Sequence, residues 1–233
     1  MKLKKVLLVI MITTFIVTLA GCNSKGKNSN KKENEVSKVK SKMVNELDNF
    51  AISATITMQT GFIDITVDTN CIKDNKNQIE YCKTSTLGVI EMEQYLDYKN
   101  KKEVTKTTSL FGGDENNGKW VTQKYDAASS IGDSWLDIND YLNGLEVTEQ
   151  NGGKLYKGKI STDKINNAIA KSDKGNKIST KGSSKDIPIE IFINSNGYIE
   201  TIKTEFEFSG MKELIEIKYS NYNTAGSLTM PNV

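Results

Sequence analysis

The sequence predicts a single α+β domain of about ten strands and about three helices. One amphipathic stretch near the start of the polar part of the chain has apolar residues three or four apart, which is typical of a helix. Most of the remaining chain alternates apolar and polar residues, which is typical of half-buried strands. No linker composition follows residue 36, so we expect one domain over residues 36–233.

The first 21 residues have the pattern of an export signal. MKLKK carries three lysines, and the following run, VLLVIMITTFIVTLA, is apolar apart from threonines. A membrane-spanning helix needs about 20 apolar residues, and this run is shorter and ends in small residues. We therefore expect residues 1–21 to be a cleaved signal peptide.

Leu19-Ala20-Gly21-Cys22 matches the bacterial lipobox. This resemblance implies that Cys22 receives a thioether-linked diacylglycerol and becomes the mature N-terminus. A single acyl chain gives only marginal membrane binding, whereas two hold a protein stably. The alternative is an ordinary secretory signal that contains a cysteine. We expect a protein anchored by its lipid on the outer face of the cell membrane.

Residues 22–35 form a polar, charged stretch with nothing to bury, which is typical of a flexible tether. A coil of this length reaches roughly 20 Å. Without Lys2, Lys4 and Lys5 the chain has 28 basic against 29 acidic residues, and every basic residue is a lysine. Nucleic-acid binding is therefore not expected, because there is no basic excess and no arginine to recognise phosphates or guanine.

The first half of the domain is predicted to be a helix followed by a meander of about six strands. The helix is predicted from apolar residues spaced three or four apart: Val36, Val39, Met43, Leu47 and Phe50. Period-two alternation then predicts two long strands around Gly61. Four further strands are expected within residues 78–86, 89–98, 103–111 and 118–125.

The second half is predicted to contain two helices and two hairpins. Residues 126–144 and 162–172 have helical spacing or propensity. A hairpin is expected around Asn151-Gly152-Gly153, and another around Asn196-Gly197, where we predict a type I′ turn. A final strand begins at Leu214.

Cys71 and Cys82 lie on either side of the predicted turn DNKN. If the two cysteines face each other across a hairpin, every pair of opposite residues in the two strands has numbers that sum to 153. The loop between the strands is then residues 75–78. A slip of one residue would send the two side chains to opposite faces. Two alternatives follow: a disulfide, which export favours, or two free thiols.

The end of the chain, from KLYKGKIS through IPIEIFINSNGYIETIKTEFEF to IEIKYSNYNTAGSLTMP, resembles the bacterial surface lipoproteins related to the mycobacterial LppX and LprG carriers. Their half-barrel fold is shared with the Lol lipoprotein carriers. The resemblance implies a curved antiparallel sheet wrapped around helices, with an apolar cavity between them for acyl chains. It implies no catalytic residues.

The alternation suggests which residues line such a cavity, if the sheet leaves one. The same residues would equally suit a packed core. The eight candidates are Ile56, Met58, Ile65, Val67, Met92, Leu96, Trp120 and Trp135.

Catalytic signatures are scarce. The chain has no histidine, which removes the usual general base and the Ser-His and Cys-His nucleophile pairs. Ser161-Thr162-Asp163-Lys164 spells S-x-x-K but lacks the companion motifs of penicillin-binding enzymes, and a helix N-cap accounts for it. The turns DINDYLNG and GGDENNG do not have calcium-loop spacing. We expect no enzyme activity, metal or cofactor.

Two hypotheses for function follow. The first is a lipid-anchored protein that binds or carries an apolar, lipid-like ligand between the sheet and the helices. The second is a non-catalytic structural or interaction lipoprotein whose core is filled. They differ in one property, because a packed domain has few internal voids larger than a water molecule.

Overall fold

A computed structural model describes residues 35–59, 61, 63–111, 115–125, 142–162, 186–208 and 211–233. Within these ranges the chain forms one helix, α1 (Glu35–Glu46), and eleven strands. The strands are β1 (Asn49–Gln59), β2 (Asp64–Asp74), β3 (Ile79–Thr86), β4 (Ile90–Asp97), β5 (Lys102–Ser109), β6 (Trp120–Gln123), β7 (Leu142–Gln150), β8 (Gly153–Ile160), β9 (Ile187–Ile193), β10 (Ile199–Phe208) and β11 (Met211–Ser220).

All eleven strands belong to one antiparallel sheet with the order β6-β5-β4-β3-β2-β1-β11-β10-β9-β8-β7. The sheet consists of two meanders, β1–β6 and β7–β11, which are joined because the first strand pairs with the last. β6 and β7 are its two edges. No helix among the described residues is long and apolar enough to cross a membrane.

The predicted α+β class with about three helices is wrong. The described residues are nearly all β, with one short helix and eleven strands in a single open sheet. Residues 142–144, the end of the predicted second helix, belong to β7: Leu142 and Asn143 pair with β8, and Gly144 lies at an irregularity in the register. The rest of that helix and residues 163–172 of the third lie outside the described residues. The helical propensity near residue 142 is a property of the local sequence. Pairing with the neighbouring strand outweighs it in the folded chain.

One face of the sheet carries the main core, as the period-two pattern requires. Buried residues of β1, β2 and β8–β11 form a cluster with Val36 and Met43 of α1 and with Leu47, which follows the helix. Register fixes which residues share that face: Ile56 of β1 pairs with Val67 of β2 and Ile215 of β11. We call this side of the sheet the core face.

The two predicted hairpins differ in their turns. The turn between β7 and β8 has two central residues with positive φ, Asn151 (50°) and Gly152 (75°). That is the type I′ geometry. In the turn between β9 and β10, only Gly197 has a positive φ, at 76°. The type I′ prediction at Asn196-Gly197 is therefore wrong; instead, Asn194 Oδ1 accepts hydrogen bonds from the backbone N–H groups of Asn196 and Tyr198.

The C-terminal Asn-Tyr-Asn segment attaches the end of β11 to the start of β1. The backbone N–H of Asn223 donates to the carbonyl of Asn49 at 2.8 Å, and its Oδ1 accepts from the backbone N–H of Asp48 at 2.7 Å. Tyr222 Oη donates within reach of two carbonyls, those of Ile199 at 2.7 Å and Tyr219 at 3.0 Å. This segment therefore has a structural role.

Cys71 and Cys82 are joined by a disulfide. β2 pairs with β3 so that Cys71 lies opposite Cys82 and Asp74 opposite Ile79. The loop is therefore 75–78, and the register is the one that the disulfide hypothesis required.

Candidate functional site

The core face is divided into two regions of different chemistry. On β1, β9, β10 and β11 it is mainly aliphatic, and the register places the side chains in adjacent rows. Also buried on the same face are Phe50, Tyr219, Thr204 and Glu213. We call this region the isoleucine half. Its central residues, all buried, are Ile56, Ile189, Ile191, Ile202, Ile215 and Ile217.

The core face of β2–β5 is much more polar, and we call it the polar half. Lys73 Nζ lies 3.2 Å from Glu80 Oε2, and both side chains are buried. Tyr98 Oη donates to the same Glu80 oxygen at 2.8 Å, and the Lys73 ammonium lies 4.0 Å from the centre of the Tyr98 ring. Gln94 Nε2 donates to Glu103 Oε1 at 2.9 Å. These groups satisfy one another, as buried polar groups must.

The two ends of the sheet also differ. At one end, which we call the helix end, α1 contacts the turns of two hairpins. Asn75 Nδ2 donates to the carbonyls of Met43 in α1 at 3.4 Å and of Leu47 just after α1 at 2.9 Å. Lys42 Nζ donates to the carbonyl of Asn196 at 2.7 Å. The helix thus reaches from the β2–β3 turn to the β9–β10 turn and covers the core at this end.

The opposite end carries exposed apolar residues on three connections of the first meander, β1–β2, β3–β4 and β5–β6, and we call it the apolar end. The exposed fractions are 56% for Ile63, 51% for Leu87, 75% for Leu110 and 71% for Phe111. Backbone hydrogen bonds link the turns, from Leu110 N–H to the Val89 carbonyl at 3.0 Å, for example. Single exposed apolar residues are ordinary, but a group at one end of a sheet is typical of an interaction site.

The structure brings most of the predicted cavity residues to one face. Ile56, Met58, Ile65, Val67 and Leu96 are buried on the core face. Met92 lies on the same face but is partly exposed. Trp135 lies outside the described residues.

Trp120 lies on the other face, which corrects its predicted place. It pairs with Lys106, and Lys106 pairs with Glu93, one residue out of phase with Met92. There Lys106 Nζ lies 5.0 Å from the Trp120 ring centre and 2.6 Å from Glu93 Oε1. The hydrogen bond from Lys106 is the main reason that the pKa of Glu93 is below its ordinary value. Trp120 therefore belongs to a cross-strand cluster on the far side of the sheet.

Glu213 is a core-face residue that the sequence reading missed. It is 1% exposed, and its Oε2 has no hydrogen-bond partner among the described residues. Burial raises the pKa of this carboxyl from 4.5 to about 7. The sequence did indicate its position, because Glu213 alternates in step with Ile215, Ile217 and Tyr219 and so belongs to the same face of β11. It was missed because the strand was predicted to begin one residue later, at Leu214.

Two clefts are lined by described residues. One, of about 620 Å³, lies between α1 and the β7–β8 and β9–β10 turns. The other, of about 490 Å³, involves β1, β9, β10 and β11 and includes Thr55, Lys203 and Glu216, which face away from the core. None of the eight predicted cavity residues lines either cleft.

Cys71, Cys82 and Glu80 form a group whose sulfur and oxygen atoms lie within 4.8 Å of one another. A metal would need thiolate sulfurs, and here both are in the disulfide. The geometry therefore does not favour a metal at this position. Of the S-x-x-K stretch, Asp163 and Lys164 lie outside the described residues.

No family model matches the chain, and no curated protein matches it. Among solved structures, the chain is similar to the lipoprotein LppX of Mycobacterium tuberculosis, with a TM-score of 0.47 and 10% identity over 83% of this chain and 96% of that one. It is also similar to a DUF1329 family protein of Desulfovibrio piger, with a TM-score of 0.32 and 12% identity over 83% and 93% of the two chains.

The predicted resemblance to LppX-type lipoproteins is confirmed, in that LppX is among the solved structures similar to this chain. At 10% identity and a TM-score of 0.47, the similarity says nothing about ligand or mechanism.

Proposed function

We propose that the protein is a membrane-anchored, extracytoplasmic lipoprotein that binds an apolar, lipid-like ligand along the isoleucine half of its core face. One observation carries the proposal: this aliphatic surface is covered by α1 at one end, while the other end of the sheet carries exposed apolar turns. An acyl chain lying along the strands would contact mainly apolar side chains. Binding sites for such ligands are mostly apolar, with few polar groups.

The length of the face suits an extended chain. From Tyr219, near the helix end, to Glu213, near the apolar end, β11 advances six residues. At about 3.3 Å per residue this is roughly 20 Å. The turns at the apolar end are where a ligand would enter, because α1 lies across the other end.

The anchor in this proposal is Cys22, on the lipobox sequence alone. Metabolic labelling with a fatty acid tests it. We expect Cys22→Ser to remove all incorporation and to block processing between Gly21 and Cys22. Persistent labelling of this variant would disprove the anchor without bearing on ligand binding.

Ligand binding is tested on the mature sequence, residues 22–233, with Cys22→Ser, exported behind a secretory signal peptide whose cleavage does not require the lipobox cysteine, and purified without detergent. Native mass spectrometry and organic extraction should reveal a bound apolar molecule. Val67 of β2 lies directly opposite Ile56, at the border of the isoleucine half. Val67→Glu should fold yet lose that molecule, because a cavity wall lets water reach the carboxylate. Thr66→Glu is the matched control: it adds the same charge one residue away, on the other face of β2, and should keep the ligand.

The filled-core alternative makes a different prediction. Val67 is 5% exposed, so in a solid core Val67→Glu would bury an unpaired charge and the chain would not fold. A wild-type protein without extractable ligand, together with an unfolded Val67→Glu, would establish the structural alternative. A folded Val67→Glu that retains its ligand would show that the site lies elsewhere.

A further inference from the structure

Glu213 is a carboxyl group in an aliphatic environment. Its register partners are Met58 on β1 and Phe206 on β10, and Ile215 follows it on the same face of β11. It is 1% exposed, and among the described residues nothing donates a hydrogen bond to its Oε2. The neighbouring Lys212 lies on the other face, paired with Glu205 at 2.7 Å. Buried carboxylates normally have partners, so this oxygen calls for an explanation.

We propose that Glu213 recognises the polar head of the ligand, and that the ligand is an apolar chain ending in a hydrogen-bond donor, a hydroxyl or an amine. This inference rests on the proposed function, since it assigns a role to one residue of the same face. The head lies against Glu213, and the chain runs along the isoleucine half towards α1.

The position of Glu213 in the sheet supports this orientation. It is the third residue of β11, and its partner Met58 is the second-to-last residue of β1, next to the loop that carries Ile63. The carboxyl is thus at the apolar end, just inside the turns through which a ligand would enter. A ligand that enters chain first leaves its polar head at this level.

The chemistry of the carboxyl selects a donor. Above its pKa of about 7, the Glu213 carboxyl is ionised and only accepts hydrogen bonds. In that form an alcohol or an ammonium group satisfies it, whereas an ester or ether does not. The facing positions on the adjacent strands, Met58 and Phe206, and the next residue on the same face of β11, Ile215, carry no ionisable group. The ligand is therefore the partner that would stabilise the ionised form.

Two probes of the same chain length test the inference: 1-monopalmitoylglycerol, which has free hydroxyls, and methyl palmitate, which has none. Equilibrium dialysis of the labelled probes at about pH 8, above the pKa of Glu213, gives the ratio of their two dissociation constants for each protein. Between wild type and Glu213→Leu we expect the preference for monopalmitoylglycerol to fall about tenfold or more, the effect of one hydrogen bond to a charged group. Methyl palmitate should bind Glu213→Leu at least as well as wild type.

Two further variants complete the experiment. Glu213→Gln has nearly the same shape but adds donors, so it should fold and shift the ratio towards the ester. Glu216→Gln removes an acid from the same strand on the other face, and its ratio should equal that of wild type. Circular dichroism verifies the fold of each.

The outcomes separate the two proposals. If wild type binds both probes and the ratio is unchanged in Glu213→Leu and Glu213→Gln, the role of Glu213 is disproved while ligand binding stands. If wild type binds neither probe, the proposed function fails and takes this inference with it.

Discussion

The two halves of the core face have the same backbone architecture but are stabilised differently. The isoleucine half relies on aliphatic packing, with Ile191 and Ile217 fully buried. The polar half contains a buried ion pair, Lys73–Glu80, beside the Cys71–Cys82 disulfide. Aliphatic contacts are not directional and tolerate small shifts, whereas a buried ion pair needs its geometry.

This difference suggests a division of labour. The polar half fixes the register of β2–β5 through specific pairs, and the isoleucine half offers a surface on which an apolar chain can lie in more than one position. Glu213 is the exception: it is an acidic residue on the isoleucine half, and it can fix the position of a ligand's polar group. Four predictions test the comparison.

The largest effect is expected in the polar half, from Glu80→Gln. This change leaves the shape almost intact but removes the negative charge beside Lys73, whose ammonium is buried. Breaking a buried pair from one side typically costs about 3–5 kcal/mol, so urea unfolding should show a loss of this size. Glu205→Gln, in the exposed pair with Lys212, is the control and should change stability by less than about 1 kcal/mol.

The second prediction concerns pH and the isoleucine half. Glu213 holds its proton up to about pH 7 in the folded chain, against an ordinary pKa of 4.5. The unfolded chain therefore releases this proton first, and the free energy of unfolding should fall as the pH rises from 4.5 to 7. At 1.36 kcal/mol per pKa unit the loss is about 3 kcal/mol.

Between pH 4.5 and 7 the effect of Glu213 can be measured with little interference from other groups. The chain has no histidine, and the pKa values of Asp74, Glu93 and Glu216 are lowered. Denaturant unfolding at several pH values measures the slope. Glu213→Gln should make stability nearly independent of pH in this range, and Glu216→Gln should not. A wild-type curve that is flat between pH 4.5 and 7 would contradict the environment assigned to Glu213.

The third prediction returns to the polar half. Cys71 and Cys82 are 11 residues apart, and closing so short a loop typically contributes about 2–3 kcal/mol. The double variant Cys71→Ala, Cys82→Ala should lose that amount and still fold, because the register is also held by the pairs on either side. Alkylation of unfolded, non-reduced wild-type protein should label neither cysteine; labelling of both would mean free thiols.

The features of the fold that the sequence predicted correctly depend on residues close together in the chain. The sequence did not predict those that depend on pairing between distant strands. The 75–78 loop and the face shared by Ile56 and Val67 followed from a tight turn and period-two alternation, both local. The placement of Trp120 failed because its register depends on the long β5–β6 connection. The end of the predicted helix at residue 142 failed because pairing with β8 is a long-range interaction.

The candidate site shows the same limit. Alternation predicted its aliphatic residues, since a buried isoleucine has the same pattern in any sheet. Glu213 could be found only by extending the β11 alternation past Leu214. Its burial, and its lack of a hydrogen-bond partner for Oε2 among the described residues, depend on β1 and β10 and are not visible in one strand.

The smallest effect is expected in the isoleucine half, from Ile191→Val. Ile191 is fully buried on β9, between Tyr156 of β8 and Ile202 of β10. Removing one methylene from a packed core typically costs about 0.5–1.5 kcal/mol, and the cost is lower where neighbours can close the space. If this half adapts to a ligand, the ligand-free protein should lose about 0.5 kcal/mol in urea unfolding. A loss near 1.5 kcal/mol or more would show that it is packed as rigidly as a solid core, which would remove the contrast with the polar half.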